Sequence, residues 1–227
     1  MIRLVLFDVD GTILHSGGAG IKAFARAFST EFGIHDGADR LNFSGRTDVS
    51  LVREFFSKNQ VEPSPENFAR YFKAYLFWLE KMMWECKGGA CPGVMEFYDA
   101  LQSLADPPLT GLLTGNIRQG AQIKLVRYNL WEKFPFGAFA DDDEERDKIA
   151  AVAQKRGSER LGRPIEGAEI LVIGDTPLDI RCARAIKAKA LAVATGSFTV
   201  EELARHAPDW VVADLSKLSA REVVGVA

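Results

Sequence analysis

The chain has 227 residues, 47% hydrophobic and 26% charged, enough for one α/β domain with a sizeable insertion and too few for two large domains. Its 28 Lys and Arg against 31 Asp and Glu leave a formal charge of −3, so nothing marks it as a binder of nucleic acid. No apolar stretch reaches the roughly 18 residues a bilayer span needs, and Arg3, LVLF and then aspartates do not continue as a signal peptide. Cys86, Cys91 and Cys182 show no CxxC spacing and read as free thiols of a cytoplasmic protein.

The first element, IRLVLF (2–7), is a continuous apolar run that predicts a strand buried on both faces. It ends in FDVDGT (7–12), where Asp8 and Asp10 stand one residue apart. Two such carboxylates repel each other unless a cation lies between them.

From about residue 15 to 90 the strand signals vanish, and helical periodicity covers 20–33, 47–59 and 65–85. Ser64 is the N-cap of the last of these, with Pro65 at its first helical position. So many helical residues predict a subdomain over 15–91, hinged on the glycine-rich LHSGGAG (14–20) and CKGGACPG (86–93). The aromatic and methionine residues of 71–84 read first as the core of that subdomain. FSGRTD (43–48) is the polar break between its helices, and Arg46 there is either a substrate contact or an exposed arginine ahead of an N-cap.

Beyond the insertion, LTGLLT (109–114), EILVIGD (169–175) and ALAVAT (190–195) repeat the strand pattern, with DWVVA (209–213) weaker. Helices are predicted over 94–105, 118–130, 145–157 and 178–188, and TVEE (199–202) is a capping box. The alternation predicts an α/β fold with a three-layer, Rossmann-like parallel sheet core over 1–14 and 92–227 and an inserted α-helical cap over 15–91. His15, His35 and His206 have no motif around them and read as surface residues.

In such a sheet, ligands bind beyond the carboxyl ends of the strands. Asp8 and Asp10 sit at one such end, TGN (114–116) at a second and GDTPLD (174–179) at a third. Any one of these alone is a solvated strand end or a helix cap. Together they predict a site of four carboxylates, Asp8, Asp10, Asp175 and Asp179, beside Thr114 and Asn116. Hard oxygen ligands without His or Cys select Mg²⁺.

FDVDGTIL, LLTGN and VIGDTPLDI resemble the first, second and fourth motifs of the haloacid dehalogenase-like hydrolase superfamily. The motif order agrees along the whole chain, the insertion falls where that family carries a helical cap, and the group most resembled is that of phosphoglycolate phosphatase and β-phosphoglucomutase. The resemblance implies that Asp8 attacks phosphorus to form an aspartyl-phosphate and that Asp10 is the acid and then the base. It implies Mg²⁺ held by Asp8, the Asp10 backbone carbonyl and Asp175, with Asp179 acting nearby. Thr114, Gly115 and Asn116, with the backbone N–H groups of the turn through Gly11 and Thr12, would bind the phosphoryl oxygens. Asp10 disfavours dehalogenation, since a departing halide needs no proton.

The third motif departs from the family's frequent Lys-Pro. FADDDEERDKIAAVA (139–153) offers Arg146 and Lys148, and Arg146 is preferred because a helix begun near Glu144 or Glu145 puts it in the first turn. The acid run Asp141 to Glu145 reads as a solvated loop and helix N-terminus, or as partners holding Arg146. The function implied is a Mg²⁺-dependent phosphatase of a small phosphorylated metabolite. A phosphomutase of the β-phosphoglucomutase type, with Arg46 serving a second phosphate, is the alternative. A non-catalytic phospho-acceptor is a third reading that Asp10 argues against. No nucleic-acid or membrane partner is expected, and the protein is expected to be a monomer or homodimer.

Overall fold

Leu4–Phe7 forms the first strand, β1, with every side chain buried. Val5 and Phe7 face one side of it and Leu4 and Leu6 the other, each packing into a separate apolar cluster. That double burial explains why the run is uninterrupted rather than alternating. A computed structural model describes residues 1–225 of the chain.

After β1 come β2 (Leu14–His15), α1 (Ala19–Phe32), α2 (Asp48–Lys58), α3 (Pro65–Glu85) and β3 (Gly89–Ala90). Then follow α4 (Val94–Gln102), β4 (Leu109–Leu113), α5 (Arg118–Val126), β5 (Gly137–Ala138) and α6 (Arg146–Leu161). The chain continues through β6 (Ile170–Gly174), α7 (Pro177–Ala185), β7 (Lys189–Val193), α8 (Val200–Ala204), β8 (Trp210–Val212) and α9 (Ala220–Val224). Six strands form one parallel sheet in the order β5-β4-β1-β6-β7-β8. The strand order runs outward from β1 through β4 to β5, then returns to the other side of β1 at β6. Such a reversal opens a crevice at the carboxyl ends of β1 and its neighbours.

Helices cover both faces. Phe97 and Leu101 of α4, Leu125 of α5 and Val223 of α9 pack on one side. Ile149 and Ala153 of α6, Ile180 of α7 and Leu203 of α8 pack on the other. This is the predicted α/β sandwich. The weak strand expected at 209–213 is present as β8, and the Thr199–Glu202 capping box opens α8.

Helices α1, α2 and α3 gather round a third cluster, dominated by Phe24, Phe28, Phe55, Phe56 and Tyr71 and joined by Ile117 and Ala140 from the sheet side. The rings of Phe28 and Phe55 lie 4.5 Å apart, as do those of Phe28 and Tyr71. Burying each ring stabilises the cluster by about 2–3 kcal/mol relative to exposure. Tyr71, Tyr75, Met82 and Met83 are buried, as expected of a subdomain core, whereas Phe77 and Trp84 are exposed. Ser64 caps α3 by accepting from Asn67 N–H, with Pro65 just inside the helix.

The two joints are not independent strings. β2 and β3 pair antiparallel, Leu14 with Ala90 and His15 with Gly89, and Cys91 N–H donates to Ile13 O at 2.9 Å. Among the described residues, all three cysteines are free and no helix is long and apolar enough to cross a membrane.

Candidate active site

Asp8 follows the last residue of β1, and its backbone N–H still bonds Ile173 O of β6 at 2.9 Å. Its carboxylate is therefore fixed at the sheet's central strand end. Gly11 then turns the chain with φ of 81°, where a Cβ would stand 2.5 Å from Asp175 Oδ2. Only glycine allows both the left-handed conformation and that approach, which is why DG closes the motif. Thr12 is buried and donates from Oγ1 to Asp175 Oδ1 at 3.2 Å.

Asp8, Asp175 and Asp179 offer carboxylate oxygens that all lie within 4.8 Å of one another. Burial, opposed by Arg146 and reinforced by Asp179 and Asp10, pushes Asp8 up to about 6. Burial, together with Asp179 and Asp8, pushes Asp175 up to about 9. Carboxyls held this far above their ordinary range mark a place where negative charge is crowded, which a bound cation would relieve. The donor set, all hard oxygen with no sulfur or imidazole, fits Mg²⁺. Asp179 is turned mainly to its own surroundings: Oδ2 accepts from Thr176 N–H at 3.0 Å and Thr176 Oγ1 at 2.7 Å, closing a capping box at the start of α7.

Arg146 is the cation inside the site. It begins α6 and is buried, with Nη2 at 3.1 Å from Asp8 Oδ1 and a second contact to Asp179 Oδ1. Burial works against its charge, but Asp179 and Asp8 more than offset that and raise its pKa. Lys148 is not brought in. It projects outward, 58% exposed, and pairs with Glu145 at 2.8 Å. The physical reason is periodic: two residues along a helix turn a side chain by about 200°, so one of the pair faces in and the other faces solvent.

Thr114 follows β4 and is fully buried. Its Oγ1 accepts from Asn116 N–H at 3.3 Å and from Asn116 Nδ2 at 2.9 Å. Asn116 Nδ2 also donates to Asp10 Oδ2 at 2.8 Å. The structure thus brings Asp8, Asp10, Thr114, Asn116, Arg146 and Asp175 to one cavity of about 530 Å³. Gly11 and Gly115 line it too, whereas Thr12 and Asp179 stand behind its wall.

Residues of α1, α2, α3 and the loop between α1 and α2 close the cavity on one side. Asp48 at the start of α2 takes Ile117 N–H on its carboxylate at 2.8 Å and gives its own N–H to Gly115 O at 2.7 Å. Arg146 Nη1 donates to Gly45 O at 3.0 Å, and Thr47 Oγ1 donates to Glu144 O at 2.8 Å. Burial, against the pull of Lys124, raises Asp48 to about 6. Arg46 lines the cavity, but its guanidinium is engaged by Glu54 at 2.5 Å. The acid run is not simply solvated: Asp142 pairs with Arg156 at 2.6 Å and Glu144 with Arg53 at 2.8 Å. Arg146 is held by Asp8 and Asp179 instead.

Three groups at the site escape a reading of the sequence. Lys124 sits in a helix whose periodicity gives no sign that a lysine is turned inward. Asp48 reads only as a first-turn acid. Thr195 and Gly196, after β7, reach over from a fourth strand end, and a Cβ on Gly196 would overlap Asp175 Oδ2 at 1.7 Å. The one available signal was position, since ATGS follows a strand at the same rim.

The haloacid dehalogenase-like hydrolase family model matches residues 5–193. The chain belongs to that family of enzymes, as its motifs predict. A Caldanaerobacter subterraneus protein, PpaX, provisionally named a pyrophosphatase, is 26% identical over 96% of this chain and 93% of its own. A phosphoglycolate phosphatase of Synechococcus elongatus is 25% identical over 96% of this chain and 95% of its own. Among solved structures, CbbY of Rhodobacter sphaeroides in complex with phosphate superposes with a TM-score of 0.77 at 18% identity, covering 96% of both chains. The match confirms the fold.

Proposed function

We propose that the chain is a Mg²⁺-dependent phosphatase that hydrolyses a small phosphorylated metabolite through an aspartyl-phosphate. The observation that carries this is the meeting of Asp8 with Arg146 at 3.1 Å on a rim that also holds Asp10, Thr114 and Asp175. Relatives named for phosphatase and pyrophosphatase activity support the same class. Residues 15–91 act as the cap and the rest as the core, in a cytoplasmic protein that is a monomer or homodimer.

An Asp8 oxygen attacks phosphorus, the ester P–O bond breaks, and Asp10 gives the departing alkoxide its proton. Asp10 then takes a proton from water, whose oxygen attacks the same phosphorus; the aspartyl P–O bond breaks and inorganic phosphate leaves. Arg146 neutralises charge between nucleophile and phosphoryl group, and Thr114 and Asn116 orient the phosphoryl oxygens. Mg²⁺, when held by Asp8, the Asp10 carbonyl and Asp175, supplies further neutralisation of the phosphoryl charge. The mutase reading is weaker, because Arg46, its candidate for a second phosphate, already has Glu54 as partner.

A phosphate-release assay over a panel of phosphorylated metabolites, with Mg²⁺ and with excess EDTA, tests the proposal. Release of phosphate from at least one member with Mg²⁺ alone is expected. Full activity in EDTA, or sugar-phosphate isomerisation without release, would count against it. A long-lived phosphoprotein after acetyl phosphate treatment would favour the phospho-acceptor reading instead.

A further inference from the structure

Lysine is among the residues least often buried, yet Lys124 on α5 is 4% exposed. Its Nζ donates to Asp10 Oδ2 at 2.6 Å and to Asn116 Oδ1 at 2.5 Å. Asn116 in turn donates to that same Asp10 oxygen at 2.8 Å and to Thr114 Oγ1 at 2.9 Å. One oxygen of Asp10 is therefore held by two donors, which themselves lock together. Among the described residues, Oδ1 has no protein hydrogen bond, and the Asp10 side chain is 41% exposed where it borders the cavity. Gly20, in the first turn of α1, lies over the ammonium, and a Cβ there would stand 3.6 Å from Nζ. Cap and core thus enclose this charge between them.

We propose that Lys124 is a positioning residue for the acid/base carboxylate: with Asn116 it clamps Asp10 Oδ2 and so presents Oδ1 to the leaving-group oxygen. The inference rests on the reading of Asp10 as acid and base. Its physical content is preorganisation. A short carboxylate at a half-open site has several rotamers of similar energy, and proton transfer needs one of them within hydrogen-bond reach. Two donors on one oxygen select that rotamer and leave the other oxygen free. Arg146 cannot do this, since its partners are Asp8, Asp179 and Gly45 O. A substrate-binding role fits less well, because the ammonium is nearly sealed and has two protein acceptors already.

The test is a double-mutant cycle on the full chain with Mg²⁺, using Lys124→Met, Asp10→Asn and both together. The substrates are the most active alkyl phosphate of the panel and p-nitrophenyl phosphate, whose leaving group barely needs a proton. Lys124→Met should lower kcat for the alkyl phosphate about 10- to 100-fold, with KM nearly unchanged and a much smaller loss on p-nitrophenyl phosphate. In the Asp10→Asn background the same change should cost almost nothing more, because the clamp then has no acid to aim. Losses that multiply in the double variant would overturn the clamp, as would a raised KM at constant kcat or an equal loss on both substrates. Wild-type alkyl turnover in Asp10→Asn alone would overturn the acid/base reading and the clamp with it. If the methionine variant does not fold, Lys124→Gln carries the same cycle.

Discussion

Asp8 and Asp175 face the same difficulty: each is an acid buried among acids, lifted from 3.8 in the unfolded chain to about 6 and about 9. Their contribution to stability is complete below about 3.8 and is lost as pH rises through those values, because the native state must then carry buried charge. Thermal melts in EDTA should accordingly show a melting temperature that falls from about pH 4 to about pH 9, most steeply below about pH 6 where both groups contribute. Added Mg²⁺ should raise it most at the alkaline end, where no protons compete for the ligands. A Mg²⁺ effect largest at about pH 5 would contradict this. Asp8→Asn should lose essentially all turnover yet melt in EDTA at or above the wild-type temperature, since a buried carboxyl has been replaced by a neutral amide. Arg146→Met should strand two buried carboxylates and cost about 3–5 kcal/mol in denaturant melts. Lys148→Met, on the solvent side of the same helix, should change neither melting nor turnover. Similar effects of the two would undo the assignment of Arg146 as the inner cation.

At the level of elements, β1, β4, β6 and β7 were readable because each is a run of apolar residues bounded by polar turns, and α3 because Ser64 and Pro65 mark its start. β5 was not readable. Gly137 and Ala138 carry no β-branched or long apolar side chain, and their strand exists only through pairing with Leu112 and Leu113. The same division holds within the site. Asp8, Asp10, Thr114 and Asp175 announce themselves at strand ends, whereas Lys124 takes its meaning from Asp10, which lies 114 positions away in the chain. The loop between α1 and α2 is legible only as a polar break, but its docking depends on Gly45. With φ of 69°, a Cβ there would stand 2.4 Å from Thr176 Oγ1. Gly45→Ala should push this loop off the core and lower kcat/KM for the alkyl substrate about 100-fold, with little change in melting temperature. Kinetics matching wild type would show that the cap does not need this seat.

For the molecule as a whole, the glycine-rich joints suggest a hinged cap, and hinge motion would admit substrate and then exclude water. The structure adds that the joints lie against each other. A Cβ on Gly88 would meet His15 O at 2.1 Å, so Gly88→Ala should part the ladder and slow turnover without touching the catalytic groups. Stopped-flow or steady-state assays that found no change would remove the ladder from the mechanism. The pairing of His15 with Gly89 has a further meaning for how such a protein can change over generations. Where the chain leaves the core and where it returns are about 5 Å apart, so the whole intervening segment is joined covalently to the core at one small junction. A short turn such as Asn-Gly in place of residues 16–88 would bridge that point, and the remaining core should still unfold cooperatively and retain slow hydrolysis of p-nitrophenyl phosphate. Loss of a cooperative melt would show that core and cap fold only together. If the core stands alone, recombination could exchange one cap for another through one small junction, and lineages could acquire new substrates while inheriting the reaction unaltered.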